Sequence, residues 1–305
     1  MLTAPQRPSR LKLASSESSV NEEILKPYKQ DLIHFEEFLK SAFEKLDFKH
    51  AGVEKLYESV RYSLDSGGKR FRPLLSMMTA EALGQPQNRT FAFAAAVEFI
   101  HTYSLIHDDL PCMDNDDERR GRPSNHKAFG EDVALLAGDA LLTESFRLIV
   151  KSYESEPKLA TELVLLLSTA AGYQGMISGQ IIDIMPGESG HDLDEVTKLH
   201  QLKTGALIRV AVEGAAVCCG ASGVHRSALR EFASNMGFAF QLADDIEDYD
   251  PQAPESASYI TTTSLEQTKA ELARRNQVCL DLLEPFGDQA KGLQSLVSMN
   301  TDRLG

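Results

Sequence analysis

The apolar run from Phe91 to Val97 constrains the fold most, because a helix with this sequence has no polar face. Such a helix is stable only when other helices or another subunit surround it. Around this run apolar residues recur at helical spacing, and glycine, proline and serine turns separate the repeats. The pattern predicts an all-α fold without convincing strands. The predicted helices cover roughly residues 21–45, 50–65, 70–83, 90–109, 131–152, 157–172, 174–184, 192–203, 205–220, 224–249 and 265–283.

Composition bounds the cellular context and the class of partner. No linker interrupts residues 50–250, so we expect one helical domain over residues 21–305, preceded by a disordered serine-rich tail over residues 1–20. No apolar run approaches the ~20 residues of a membrane span, so an integral membrane protein is not expected. The formal net charge of −14 argues against nucleic-acid binding. The four cysteines have no metal-site or disulfide spacing, which favours the reducing cytoplasm.

Two aspartate clusters each follow a long apolar helix. The second cluster contains Asp244 and Asp248 at positions i and i+4, which places both carboxylates on one helix face. Buried like charges at this spacing require a neutralising cation, and oxygen-only ligands favour Mg²⁺.

The first cluster contains Asp108 and Asp114, which are about 240° apart on an ideal helix. They meet only if the helix is interrupted, and Pro111 interrupts it because proline lacks the N–H group and clashes with the preceding turn. We therefore predict that the helix kinks or ends at Leu110–Pro111, which returns Asp114 toward Asp108. One such cluster is simply a solvated helix end, but two behind apolar helices favour a shared site.

Three basic segments accompany these clusters: Gly67-Gly68-Lys69-Arg70-Phe71-Arg72-Pro73, Arg119-Arg120-Gly121 and Lys203-Thr204-Gly205. Glycine-rich backbone before a helix, combined with Lys and Arg, binds anions. A ligand that bridges acidic and basic groups through Mg²⁺ carries several negative charges. A diphosphate with an apolar remainder fits this description.

These motifs, in this order over about residues 60–250, resemble those of the trans-isoprenyl diphosphate synthases, which include the farnesyl and geranylgeranyl diphosphate synthases. The resemblance implies a helical bundle of the isoprenoid-synthase type around a central cavity, and a homodimer. It also implies a prenyltransferase that joins isopentenyl diphosphate to dimethylallyl or geranyl diphosphate. The expected reaction is Mg²⁺-assisted ionisation and 1'-4 head-to-tail addition, with about three Mg²⁺ ions per active site.

The resemblance also assigns roles to residues. The implied metal ligands are Asp108, Asp109, Asp114, Asp244, Asp245 and Asp248. The implied pocket for isopentenyl diphosphate consists of Lys69, Arg72, His101 and Arg120. Arg119 is expected to contact the allylic diphosphate. Lys203, Thr204 and Gln241 are expected to hold that diphosphate and to stabilise the nascent cation.

Product length in this family depends on side chains just before the first aspartate motif. Tyr103 lies five residues before Asp108, and Ser104 follows it. A bulky ring at this position closes the floor of the elongation cavity, so we expect the C15 product, farnesyl diphosphate. The C20 product, geranylgeranyl diphosphate, stays open as an alternative. The resemblance also suggests that the apolar helix from Phe91 to Tyr103 forms part of a twofold interface.

The chain departs from the family pattern after the second motif. The family carries two lysines there, whereas the segment from Tyr249 to Ile260 is shorter and has no lysine before Lys269. Ser256 lies near the expected position of the second lysine. A weakly active or non-catalytic homologue therefore stays open, as does a terpene cyclase. A di-iron carboxylate bundle is disfavoured, because it requires two helical Glu-x-x-His patterns and only one, Glu98–His101, lies in a predicted helix.

Overall fold

The computed structural model describes residues 22–68, 70–185, 192–252 and 257–302. The expected tail, residues 1–20, lies outside the described residues. In chain order the α-helices are α1 (Glu22–Leu25), α2 (Lys29–Ala42), α3 (Ala51–Leu64), α4 (Phe71–Ala82), α5 (Phe91–Asp108), α6 (Asn125–Phe129), α7 (Glu131–Ser152), α8 (Pro157–Ala171), α9 (Met176–Ile184), α10 (Leu193–Lys203), α11 (Gly205–Cys218), α12 (Gly223–Glu247), α13 (Tyr259–Thr262), α14 (Leu265–Leu283) and α15 (Lys291–Asp302). A small antiparallel hairpin pairs β1 (Glu118–Arg119) with β2 (Arg122–Pro123).

The fold is all-α, as the sequence predicts, and every predicted helix is present. The first one is divided, because a 3₁₀ turn at Lys26–Tyr28 separates α1 from α2 and contains a proline in its first turn. The sequence pattern missed the short helices α6 and α13, the terminal helix α15 and the hairpin. Within the described ranges, none of the helices combines the length and the hydropathy of a membrane span.

Helix α5 is the centre of the bundle, as its apolar sequence requires. It packs against α4, α7 and α11, and its residues from Phe93 to Ile100 are almost completely buried. The expectation that this helix forms a subunit interface is wrong for most of its length, because helices of the same chain already cover it. Its carboxyl end carries the first aspartate cluster into the interior.

The chain turns sharply after α5. The helix ends at Asp108, and the N–H of Asp114 donates a hydrogen bond to the carbonyl of Asp108 at 2.8 Å. Asn115 follows with a left-handed backbone (φ 55°) and bonds back to the Leu110 carbonyl at 3.1 Å. The predicted break before Pro111 and the return of Asp114 toward Asp108 are therefore both confirmed.

Helix α12 carries the second cluster without such a break. Ser222 caps its start through the N–H of His225, and Asp244 and Asp245 lie in its last turns. Gly237 lies against the start of α11, where an added Cβ would be 3.1 Å from the Gly205 Cα. This close approach brings the end of α12 beside α10 and Lys203.

Candidate active site

A cavity of about 440 Å³ lies among α5, α7, α9 and α10. Six of the predicted site residues line it: Arg72, His101, Tyr103, Ser104, Asp108 and Lys203. Most of the remaining wall is apolar and is formed by Met113, Leu142, Met176, Ile177, Ile181, Ile184 and Leu207. The cavity thus combines charged groups with a lining suited to a hydrocarbon chain. A wider groove of about 1300 Å³ lies beside α2 and the α4–α5 turn, and it contains none of the predicted residues.

Asp108 is a buried carboxyl group in the cavity wall, with 6% of its surface exposed. Burial raises its pKa to about 7, and the neighbouring carboxylates of Asp114 and Asp109 act in the same direction. Lys203 and Arg119 oppose this rise. A cation bound at this place would keep the carboxyl group ionised.

Asp109 is held by Arg119 from the hairpin. The Nε of Arg119 donates to Asp109 Oδ1 at 3.0 Å, and its Nη2 also contacts Asp109 and, at 3.3 Å, Asp116. The next residue, Arg120, adopts a left-handed backbone (φ 55°), which turns the chain between β1 and β2. Its guanidinium donates to the Gly67 carbonyl and to Ser66 Oγ. Arg120 therefore lies beside the loop that contains Gly67 and Gly68. Both arginines line a smaller cavity of about 30 Å³.

Lys203 forms a buried ion pair with Asp183, with 2.6 Å between Nζ and Oδ2. Helix α9 packs closely against Lys203 because Gly179 has no side chain. A Cβ at position 179 would lie 2.3 Å from the backbone nitrogen of Lys203. The sequence analysis missed Asp183. Its signal was available, because Asp183 is the one charged residue in helix α9. Gln180 was missed as well, and it lines the same cavity.

The second cluster is buried at the end of α12. Gln241 donates to Asp244 Oδ2 at 3.5 Å, and the N–H of Tyr259 donates to Asp245 Oδ2 at 2.5 Å. Burial raises the pKa of Asp245, whereas His200 and the Tyr259 N–H oppose the rise. His200 lies 3.9 Å from Asp245, one turn before Lys203. Helix α10 therefore links the two clusters, through His200 at the second and Lys203 at the first.

Three predicted site residues remain: Thr204, Asp248 and Lys69. Thr204 is buried directly after Lys203, and Asp248 caps the end of α12. Lys69 and Ser256 lie outside the described residues. The described part of the shortened segment returns to the second cluster, because Ser258 caps α13 and bonds to Asp245.

The donor set suits Mg²⁺ bound together with a phosphate ligand. Within the described ranges, no three ligating side chains already form a metal cluster. Mg²⁺ in phosphate-processing sites is held by one or two carboxylates, by substrate phosphates and by water rather than by a cage of protein ligands. Buried carboxyl groups with raised pKa values at two helix ends, Asp108 and Asp245, fit that mode of binding.

The chain is similar to known prenyl synthases over most of its length. Residues 53–269 match the family model described as "Polyprenyl synthetase". The farnesyl diphosphate synthase of Geobacillus stearothermophilus is 42% identical over 73% of this chain and 80% of the relative. A chloroplastic geranylgeranyl pyrophosphate synthase of Capsicum annuum is 41% identical over 76% of this chain and 66% of that protein.

Solved structures give the same result for the fold. The apo structure of an FPP/GFPP synthase from Zymomonas mobilis matches with a TM-score of 0.82 and 33% identity, over 90% of this chain and 98% of that chain. The structure of a geranyltransferase from Legionella pneumophila matches with a TM-score of 0.81 and 32% identity, over 95% of this chain and 99% of that chain.

Proposed function

The chain belongs to the polyprenyl synthetase family, and we propose that it condenses isopentenyl diphosphate with dimethylallyl or geranyl diphosphate to give farnesyl diphosphate. One observation carries this proposal: Asp108 and Lys203 lie in the wall of the same cavity as a set of apolar side chains. Such a cavity receives an anionic head and a hydrocarbon tail together. The farnesyl diphosphate synthases among the relatives support the C15 product.

The metal ions in this proposal are held by the carboxylates of the two clusters: Asp108, Asp109 and Asp114 in the first, and Asp244, Asp245 and Asp248 in the second. When bound, Mg²⁺ stabilises the negative charge that develops on a leaving diphosphate. The requirement for Mg²⁺ follows from the family and from the donor set described above. The number of ions, about three, is carried over from the family resemblance.

The charged side chains position the two substrates. Lys203, held by Asp183 in the cavity wall, and Arg119 bind the allylic diphosphate and stabilise its departure. Arg72 and His101 lie in the same wall and bind isopentenyl diphosphate, together with Arg120 and Lys69. Preorganised cations in a water-excluded cavity act most strongly where charge develops.

The carbon–carbon bond forms in the apolar part of the cavity. The double bond of isopentenyl diphosphate attacks the allylic cation and forms the new carbon–carbon bond. The carbocation that results then loses a proton to the departing diphosphate. Thr204 and Gln241 are buried beside Lys203 and the second cluster, and they stabilise the cation through their oxygen dipoles. The apolar wall keeps water away from the cation.

Assembly and compartment complete the proposal. Exposed apolar side chains outside the cavity on α7 and α8 support a homodimer formed through these helices: Leu135, Leu136 and Leu165. The dimer interface is thus assigned to α7 and α8 instead of to α5. The cysteines are free thiols, which suits the reducing cytoplasm.

A product assay tests the proposed activity. Purified protein is incubated with Mg²⁺, labelled isopentenyl diphosphate and geranyl diphosphate, and the products are dephosphorylated and separated by chain length. We expect a C15 product that disappears when EDTA is added. No product above the enzyme-free background would refute the activity, and a C20 main product would replace the farnesyl assignment.

Tyr103→Ala tests the assignment of the cavity floor. Tyr103 lines the cavity and is 5% exposed, so removing its ring lengthens the space available to the growing chain. We expect the main product to shift from C15 to C20 or longer. An unchanged product distribution in an active Tyr103→Ala variant would show that another residue sets the length.

A further inference from the structure

The ring of Tyr103 is held in place by packing. Its Oη is buried and has no hydrogen-bond partner among the described residues. One turn later on α5, His107 meets the Tyr103 ring edge to face, with 5.7 Å between ring centroids and 76° between ring planes. Both rings line the 440 Å³ cavity. The orientation of the cavity floor therefore depends on where the His107 ring lies.

His107 is itself held by helix α7. Its Nε2–H donates to the Leu135 carbonyl at 3.0 Å. The ring occupies a notch at Gly138, where an added Cβ would lie 2.1 Å from Nε2 and 2.4 Å from Cδ2. Real Cβ atoms do not approach a ring this closely, so no other residue at position 138 allows His107 to keep this position.

We propose that Gly138 and His107 are specificity-determining residues that set product length through Tyr103. The notch at Gly138 fixes His107, and His107 supports the ring of Tyr103 as the floor of the cavity. The inference rests on the proposed prenyltransferase activity and goes beyond it, because it assigns chain-length control to a residue on α7 as well as to α5.

Opposite changes follow from the two single substitutions. In Gly138→Ala the methyl group fills the notch, and the His107 ring is displaced toward the cavity that it already borders. The cavity becomes shorter, and we expect C10 to accumulate at the expense of C15. In His107→Ala the support of Tyr103 is lost while the tyrosine itself remains, and we expect more C20 product.

The double variant separates this model from general damage. In Gly138→Ala/His107→Ala the clash disappears, so its products should match those of His107→Ala instead of adding a C10 component. Both variants contain Gly138→Ala, so its effect on helix propensity is the same in each. Because only the single variant contains the clash, the double variant should also unfold at a higher temperature than Gly138→Ala.

The experiment measures product ratios for wild type, both single variants and the double variant with dimethylallyl diphosphate and labelled isopentenyl diphosphate. We expect each single variant to change its ratio of neighbouring chain lengths about tenfold, the discrimination of about one methylene group in an apolar pocket. Gly223→Ala, at an exposed helical glycine with nothing within 4 Å of the added Cβ, is the control for alanine. His34→Ala, at an exposed histidine, is the control for loss of an imidazole.

The outcomes are distinct. A wild-type protein without product would refute the proposed activity and leave the thermal unfolding data as the test of the notch. An active wild type with unchanged ratios in His107→Ala and in the double variant would overturn the inference. Equal unfolding temperatures for Gly138→Ala and the double variant would overturn the clash on which the inference depends.

Discussion

The two aspartate clusters end their helices in different ways. Helix α5 ends at Asp108, and the chain folds back so that Asp114 bonds to the carbonyl of Asp108. Helix α12 continues through Asp244 and Asp245 and ends at Glu247. The first cluster is irregular backbone stabilised by bonds of its own, whereas the second is a regular helix end.

The two clusters also differ in the groups that hold their carboxylates. Arg119 bonds to Asp109, and Lys203 acts on Asp108. At the second cluster the Gln241 amide and the N–H of Tyr259 donate hydrogen bonds, and the His200 imidazole lies 3.9 Å from Asp245. Among these contacts, guanidinium and ammonium groups act on the first cluster, whereas an imidazole and neutral hydrogen-bond donors act on the second.

Replacing one carboxylate in each cluster tests whether they serve one substrate, and it should give the largest effect. We expect Asp108→Asn to lower kcat/KM by about 10³-fold, the size of loss typical of a group that stabilises developing charge. We expect Asp244→Asn to lower the same parameter by a comparable factor. Asp117→Asn is the matched control, because Asp117 belongs to the same acidic run but lies on the surface against Lys127.

Steady-state kinetics with both diphosphates provide the measurement. Circular dichroism should show folded protein for all three variants. An Asp244→Asn variant with wild-type kcat/KM would separate the second cluster from the active site, despite its link to Lys203 through α10.

Breaking the ion pair at Lys203 should give the next largest effect, now on stability. Lys203→Met leaves the Asp183 carboxylate buried without its cation, which costs about 3–5 kcal/mol. Adding Asp183→Leu should restore most of this free energy of unfolding, because both charges are then absent. Activity should stay low in both variants, since the allylic diphosphate has lost its lysine.

Urea unfolding of the single and double variants measures this difference. Lys151→Met removes an exposed lysine paired with Glu44 and should change the free energy of unfolding by less than about 1 kcal/mol. A double variant as unstable as Lys203→Met would show that the pair contributes packing that the new side chains do not replace. A double variant with normal activity would exclude Lys203 from the reaction.

The difference between the clusters also explains what the sequence could reveal. The break at Pro111 was predictable because proline acts locally, through its own ring and missing N–H. The role of Asp183 was not predicted, because its partner Lys203 is twenty residues away and meets it only when Gly179 allows two helices to touch. The clash-free notch for His107 at Gly138 depends on the packing of α5 and α7 in the same way.

Short elements escaped prediction for a related reason. Helix α13 has four residues and is fixed by Ser258 and Asp245 rather than by an apolar period of its own. The two-residue strands β1 and β2 are too short to show alternation, and they exist because Arg120 and Gly121 adopt left-handed conformations between them. Hydrophobic periodicity predicts long helices and strands, whereas α13, β1 and β2 depend on single contacts.

The smallest effect should appear where the second cluster meets the shortened segment. Ser258 accepts a hydrogen bond from the Ile260 N–H at 3.2 Å and also bonds to Asp245. Ser258→Ala should lower the free energy of unfolding by about 1 kcal/mol, the usual cost of a lost cap. Because Asp245 loses a partner, the KM for geranyl diphosphate should also rise, by about threefold to tenfold for a bond worth about 1 kcal/mol.

Ser264→Ala is the matched control, because Ser264 caps α14 through the Gln267 N–H at 3.2 Å and is not among the groups that act on Asp245. It should cost similar stability and leave the KM unchanged. Equal KM values in the two variants would show that the second cluster does not depend on the segment after it. A selective rise in Ser258→Ala would show that the segment after the second cluster holds Asp245 in place by hydrogen bonds.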